Sequence, residues 1–158
     1  MTKAIIFDFS RVLLFPRDES YRGGLNARHD EFSRSEGYRF EDHFALNDEL
    51  LRVAAELKDR YDLYIFTTGH IQNVPEVQEQ IGSIFKRIIS VEDIPFGKND
   101  PRGYSHVLGE LGLKPEEVLY IDDSSANTEV AGQAGISCIQ FENNEQLLDS
   151  LKARDIQV

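Results

Sequence analysis

Short apolar runs that stop abruptly at a carboxylate or a hydroxyl constrain this chain more than any other feature. Ala4-Ile5-Ile6-Phe7 ends in Asp8, Leu63-Tyr64-Ile65-Phe66 in Thr67-Thr68-Gly69, and Val118-Leu119-Tyr120-Ile121 in Asp122-Asp123. Apolar runs without polar alternation fit strands of a sheet covered on both faces. Adjacent carboxylates at the end of a buried strand repel each other and lose hydration. They persist there most easily when a cation or a hydrogen-bond network holds them. Three runs that end alike suggest one polar site at the carboxyl edge of a parallel sheet, where open α/β folds bind ligands.

The stretches between these runs carry helical spacing. Asn47 caps a predicted helix running to about Arg60, and Pro75 opens one carrying Val77 and Ile81. Pro101 opens a third that Gly112 closes, and a small-residue helix from Ala126 to Ala134 stops at Gly135. A last helix carries Leu147, Leu148 and Leu151. Strands are expected over Lys3–Phe9, Asp62–Thr67, Arg87–Val91, Val118–Ile121 and Ile136–Phe141. The alternation predicts a doubly wound α/β domain with a mainly parallel, five-stranded Rossmann-like sheet and helices on both faces. Its 158 residues suit one such domain. Residues of about 16–46 read as a surface insertion with one or two short helices.

A formal net charge of -11 and a pI near 4.8 argue against nucleic acid or an anionic membrane as the main partner. An anionic substrate must then be drawn in locally, by a metal, a lysine or helix N-termini. The single cysteine, Cys138, excludes an internal disulfide and reads as a structural thiol. No apolar stretch approaches membrane-spanning length, and Met1 to Ala4 lead straight into the first strand, so a cytoplasmic location is expected.

Asp8 is a candidate nucleophile, metal ligand or loop cap. Asp122 and Asp123 add negative charge beside it, and carboxylates converging on an open site suit a hard cation such as magnesium. Thr67 adds a hydroxyl, and the turn at Gly69 can present backbone N–H groups to an anion. Lys98, in the loop before Pro101, would balance the carboxylates and neutralise a transferring phosphoryl group.

The order Ile6-Phe7-Asp8-Phe9-Ser10, Phe66-Thr67-Thr68, Lys98 with Asp100-Pro101, and Tyr120-Ile121-Asp122-Asp123-Ser124-Ser125-Ala126-Asn127 resembles the haloacid dehalogenase-like (HAD) hydrolase superfamily. The resemblance covers nearly the whole chain outside the insertion. It implies that Asp8 forms an aspartyl-phosphate, while Thr67 hydrogen-bonds the phosphoryl oxygens and Lys98 stabilises the developing charge; Thr68 and the Gly69 turn are expected substrate-binding positions beside them. It also implies a magnesium ion held by Asp8, Asp123, Asp122 and the backbone carbonyl of Ser10. The expected partner is a small phosphoester, with neither nucleic acid nor membrane involved.

Two positions depart from the family pattern. Ser10 stands where these phosphatases usually carry a second aspartate for acid–base work, which is typically worth about 10²–10⁴-fold. Arg11 stands where glycine usually permits a backbone turn. These departures keep two alternatives open: a metal-independent 2-haloacid dehalogenase-type enzyme, and a non-catalytic relative that binds through the same pocket. His70 is a candidate to reach the mouth of the site and supply the missing proton transfer, although a partly exposed loop histidine is the commoner outcome. His29, His43 and His106 have no metal-ligand spacing and read as surface or interface residues. Asn127 is expected either to orient the acidic pair through its amide or simply to sit in the first turn of its helix. The insertion is short for a substrate-covering cap, so an open site is expected.

Overall fold

In chain order the strands of the computed structural model, which describes residues 1–158, are β1 (Ala4–Phe7), β2 (Leu14–Pro16), β3 (Phe44–Leu46), β4 (Asp62–Thr67), β5 (Arg87–Ser90), β6 (Val118–Asp122) and β7 (Ser137–Gln140). The helices are α1 (Leu25–Phe32), α2 (Phe40–His43), α3 (Asp48–Leu57), α4 (Pro75–Ile81), α5 (Pro101–Leu111), α6 (Ser125–Gln133) and α7 (Asn144–Lys152). The main sheet is five-stranded and parallel, in the order β5-β4-β1-β6-β7. The chain winds outward from β1 in both directions, so the crevice beside β1 is the point at which such folds bind ligands.

Successive residues of β1 enter different cores, as the two-residue period of a strand requires. Ile5 and Phe7 join the larger cluster with Leu50, Leu57, Val77 and Leu147, which α3, α4 and α7 supply. Ala4 and Ile6 join the smaller one with Tyr104, Val107, Leu108 and Ala131 from α5 and α6. Helices therefore cover both faces, which is why the strands lack polar alternation.

Local chemistry sets the helix starts. Asn47 accepts from the Leu50 N–H, Asp100 from the Arg102 N–H and Ser124 from the Asn127 N–H, each capping the helix that follows. The last two start close to the carboxyl edge of the sheet.

Residues 17–43 lie between β2 and β3, which pair antiparallel as a separate two-stranded ribbon. The sequence reading anticipated short helices in this stretch but not the ribbon at its base. Leu25, Phe40 and Phe44 anchor the insertion in the larger core. Above them runs a stack of flat groups: the Arg28 guanidinium lies over the rings of Tyr21 and Phe32, Phe32 stacks on His43, and His43 on Tyr38. His29 donates to or accepts from the Tyr38 hydroxyl at 2.8 Å, and burial pushes its imidazole pKa down. His29 and His43 are thus parts of the insertion's own packing rather than surface residues.

Candidate active site

Strand register brings the predicted residues together. Phe7 pairs with Ile65 on one side and Ile121 on the other, so Asp8 leaves the sheet level with Asp122 and one residue before Thr67. Lys98 reaches in from the loop before α5, and its Nζ donates to Asp8 Oδ1 at 2.8 Å and to Asp122 Oδ2 at 3.2 Å. Its side chain is 4% exposed, with the ammonium 5.1 Å from the centre of the Phe66 ring. Gly103 makes this depth possible. A Cβ there would lie 2.3 Å from the Gly97 carbonyl oxygen, so only glycine lets α5 close onto the loop that carries Lys98.

Asp122 is fully buried and holds four donors. Oδ2 accepts from Lys98, from the Tyr120 hydroxyl at 2.5 Å and from the Asn127 carboxamide at 3.0 Å, while Oδ1 accepts from the Ser124 N–H at 2.9 Å. Burial alone would raise its pKa, but Lys98 and these donors overcome it and hold the carboxyl below its ordinary value. Asp122 thereby fixes the lysine. Asn127 both bonds this acid through its amide and sits in the first turn of α6, so the two outcomes anticipated coincide.

Asp8 and Asp123 behave oppositely. Burial pushes Asp8 up to about 7, opposed by Lys98 and reinforced by Asp122 and Asp123. Burial and then Asp122 push Asp123 up as well. Three carboxylates facing one ammonium leave the site short of positive charge. One oxygen of each lies within 4.8 Å of the others. An all-oxygen set that is under-compensated in charge fits a hard divalent cation such as magnesium.

The turn after β4 is held from several sides. The Gly69 carbonyl accepts from Ser90 Oγ at 2.8 Å and from Gln72 Nε2 at 2.6 Å. Asn26 Oδ1, from α1, accepts from the N–H groups of His70 at 2.9 Å and Ile71 at 2.8 Å. The N–H groups of Thr68 and Gly69 make no hydrogen bond within the protein, nor does that of Phe9 beside Asp8. Free backbone donors flanking the carboxylates can receive the oxygens of an anion. Asn26, Ser90, Gln72 and the Tyr120 hydroxyl were not singled out from sequence, because each acts through a contact that spacing does not encode.

Ser10 Oγ is buried without a hydrogen-bond partner. Arg11 adopts φ 64°, the left-handed conformation that glycine takes without strain. Its guanidinium donates to the carbonyls of Tyr21 at 3.1 Å and Gly23 at 2.8 Å, tying the start of the insertion to the loop after β1. His70 is engaged elsewhere: Nε2 lies 2.9 Å from Asp30 of α1 and Nδ1 3.5 Å from Glu92. His106 lies 3.0 Å from Glu110 on the outer face of α5. Cys138 is half-buried, and burial pushes its thiol up to about 11, as a structural thiol requires.

A cleft of about 740 Å³ lies among the insertion, α3 and α4, lined by residues such as Phe40, Leu51, Arg52 and Glu79. None of the strand-end residues borders it. The converging carboxylates and free donors, rather than this cleft, define the candidate site.

Residues 18–135 match the family of haloacid dehalogenase-like hydrolases, and the chain belongs to that family. The match takes in Thr67, Lys98, Asp122 and Asp123 and begins beyond Asp8 and Ser10. Enolase-phosphatase E1 of Methylococcus capsulatus is 31% identical over 105 residues, or 63% of this chain and 46% of its own length. Validoxylamine A 7'-phosphate phosphatase of Streptomyces hygroscopicus is 35% identical over 93 residues, or 58% of this chain and 43% of its own. The chain thus spans less than half the length of either relative. Among solved structures, a HAD family enzyme of Bacteroides thetaiotaomicron in complex with magnesium and inorganic phosphate is similar, with a TM-score of 0.69 and 17% identity, over 93% of this chain and 99% of that one. A HAD-like family hydrolase of Porphyromonas gingivalis has a TM-score of 0.70 and 16% identity over 100% of both chains. These two likenesses are of fold. No helix is long and apolar enough to cross a membrane.

Proposed function

We propose that this hydrolase is a magnesium-dependent phosphatase that acts on a small phosphoester through an aspartyl-phosphate at Asp8. The observation that carries the reading is the buried Lys98 ammonium bonded to both Asp8 and Asp122, with an Asp123 oxygen within 4.8 Å of theirs. The phosphatase names of the matched relatives support it, as does the similar Bacteroides thetaiotaomicron enzyme's complex with magnesium and inorganic phosphate.

Asp8 and Asp123 would hold the magnesium ion, with the Ser10 carbonyl beside them and Asp122 contributing chiefly by fixing Lys98. The ion would supply positive charge against the carboxylates and the phosphoryl oxygens. A carboxylate oxygen of Asp8 attacks phosphorus as the ester P–O bond breaks, and the alcohol leaves with a proton from solvent. Thr67, Lys98 and the N–H groups of Thr68 and Gly69 stabilise the phosphoryl oxygens during transfer. Water then attacks the acyl phosphate, which releases orthophosphate and restores the carboxylate.

Ser10 cannot relay protons near neutral pH, so both steps rely on solvent. The reaction then favours leaving groups that need no protonation, such as phenolates. The insertion of residues 17–43 is short for a substrate-covering cap, which would leave the site accessible to such substrates.

Hydrolysis of an aryl phosphate tests the reading. We expect turnover with magnesium, loss with chelator, loss in Asp8→Asn, and a gain in Ser10→Asp of up to about 10²-fold. An Asp8→Asn variant with the native rate would overturn it. Ser10 favours one other reading, a non-catalytic phosphate binder, and magnesium-dependent orthophosphate binding without turnover of any ester would support that instead.

A further inference from the structure

We propose that Asn26, on the helix of the insertion, is a positioning residue for the anion-binding turn after β4, so that the insertion acts on catalysis by holding that turn. The inference rests on the phosphatase reading for the turn's role but not for its geometry. Asn26 Oδ1 accepts two consecutive backbone N–H groups, those of His70 and Ile71, at 2.9 and 2.8 Å. Both neighbours are donors, so the atom facing them must be the carboxamide oxygen. The contact exists only because residue 69 is glycine. A Cβ at Gly69 would lie 2.2 Å from the Asn26 carboxamide carbon. One helical turn further along α1, Asp30 bonds the His70 ring at 2.9 Å, so the same face of the helix grips the turn twice.

The remaining contacts of the turn show what the grip leaves free. The Gly69 carbonyl is taken by Ser90 and Gln72, and the His70 and Ile71 N–H groups by Asn26. The N–H groups of Thr68 and Gly69, next to Thr67, are unclaimed. These contacts hold the backbone from the Gly69 carbonyl onward, immediately after the two free donors, and so limit how far those donors can move. Preorganised donors of this kind stabilise developing charge without reorganising at the moment of reaction. Displacing such a group by about 1 Å can lower a rate by roughly 10²-fold.

The test compares the native chain with Asn26→Ala and Asn26→Asp, which keeps an acceptor oxygen of the same shape. Amide hydrogen exchange at residues 68–72 reads the grip, and orthophosphate binding with magnesium reads the site. We expect Asn26→Ala to speed exchange at His70 and Ile71 and to weaken orthophosphate about 10- to 100-fold. Asn26→Asp should restore slow exchange. Unchanged exchange in Asn26→Ala would overturn the proposal, and so would fast exchange with native orthophosphate affinity, or equally fast exchange in Asn26→Asp. If the native chain bound no orthophosphate while Asn26→Ala still released both amides, the phosphatase reading would fall and the grip of the insertion would stand.

Discussion

Lys98 Nζ lies 2.8 Å from Asp8 Oδ1 on a side chain that is 4% exposed, so the ion pair is buried. Breaking a buried pair by removing one partner typically costs about 3–5 kcal/mol, because the other charge stays behind. Lys98 serves two acids, Asp8 and Asp122, so the loss falls on both.

Lys98→Met should therefore destabilise the magnesium-free protein by about 3–5 kcal/mol and abolish phosphatase activity. Without the ammonium, both carboxyls hold protons that the unfolded chain has already released. Stability then falls as pH rises, so the deficit is larger at alkaline than at acid pH. Denaturant titrations across pH check this sign.

Gly103→Ala should be destabilising although alanine is the better helix former. The propensity gain is about 0.5–1 kcal/mol, whereas overpacking in a tight contact costs about 1–3 kcal/mol. The new Cβ would meet the Gly97 carbonyl oxygen at 2.3 Å, a backbone atom with little freedom to move. Because Lys98 follows Gly97, the rate on an aryl phosphate should fall with the melting temperature.

His70 should contribute a pH-dependent stabilisation. Its hydrogen bond to Asp30, with help from Glu92, raises its pKa above the ordinary 6.5. The protonated imidazole bonds both carboxylates, while the neutral ring has one N–H to give. The contribution is fully present below 6.5 and is lost as pH rises through the higher folded value. The stability difference between the native chain and His70→Gln should shrink from about pH 5.5 to about pH 8.5.

Arg11 separates a backbone effect from a side-chain effect. Arg11→Ala keeps the positive φ and loses the bonds to the Tyr21 and Gly23 carbonyls. Arg11→Gly loses the same bonds but relieves the conformation, worth about 1–2 kcal/mol. Arg11→Gly should be the more stable of the two by about that amount, as thermal unfolding would read directly.

The core architecture was legible because burial on both faces imposes unbroken apolar runs, and helix caps such as Asn47, Asp100 and Ser124 are local signals. Asp8, Thr67, Lys98, Asp122 and Asp123 were legible because each stands at or beside such an element. The ribbon of β2 and β3 was not, since three-residue strands carry too little period to read. Arg11 looked only unfavourable in sequence, whereas the fold gives its guanidinium two carbonyls in the insertion. Asn26 left no signal, because its partners lie 44 and 45 positions away and an asparagine beside glycines reads as a turn. The sequence reading set Asp123 ahead of Asp122 as a metal ligand but gave no role for Asp122 as a fully buried anchor of Lys98, which only the fold shows.

The central claim is that Asp8 becomes phosphorylated during turnover. The most direct measurement is borohydride reduction of the enzyme quenched during hydrolysis of an aryl phosphate with magnesium, followed by peptide mapping. Reduction of an aspartyl-phosphate yields homoserine, so the account predicts homoserine at position 8 of the native chain and none in the chelator control. Turnover in the native chain with an unmodified Asp8, or with homoserine formed at Asp122 or Asp123 instead, would contradict it.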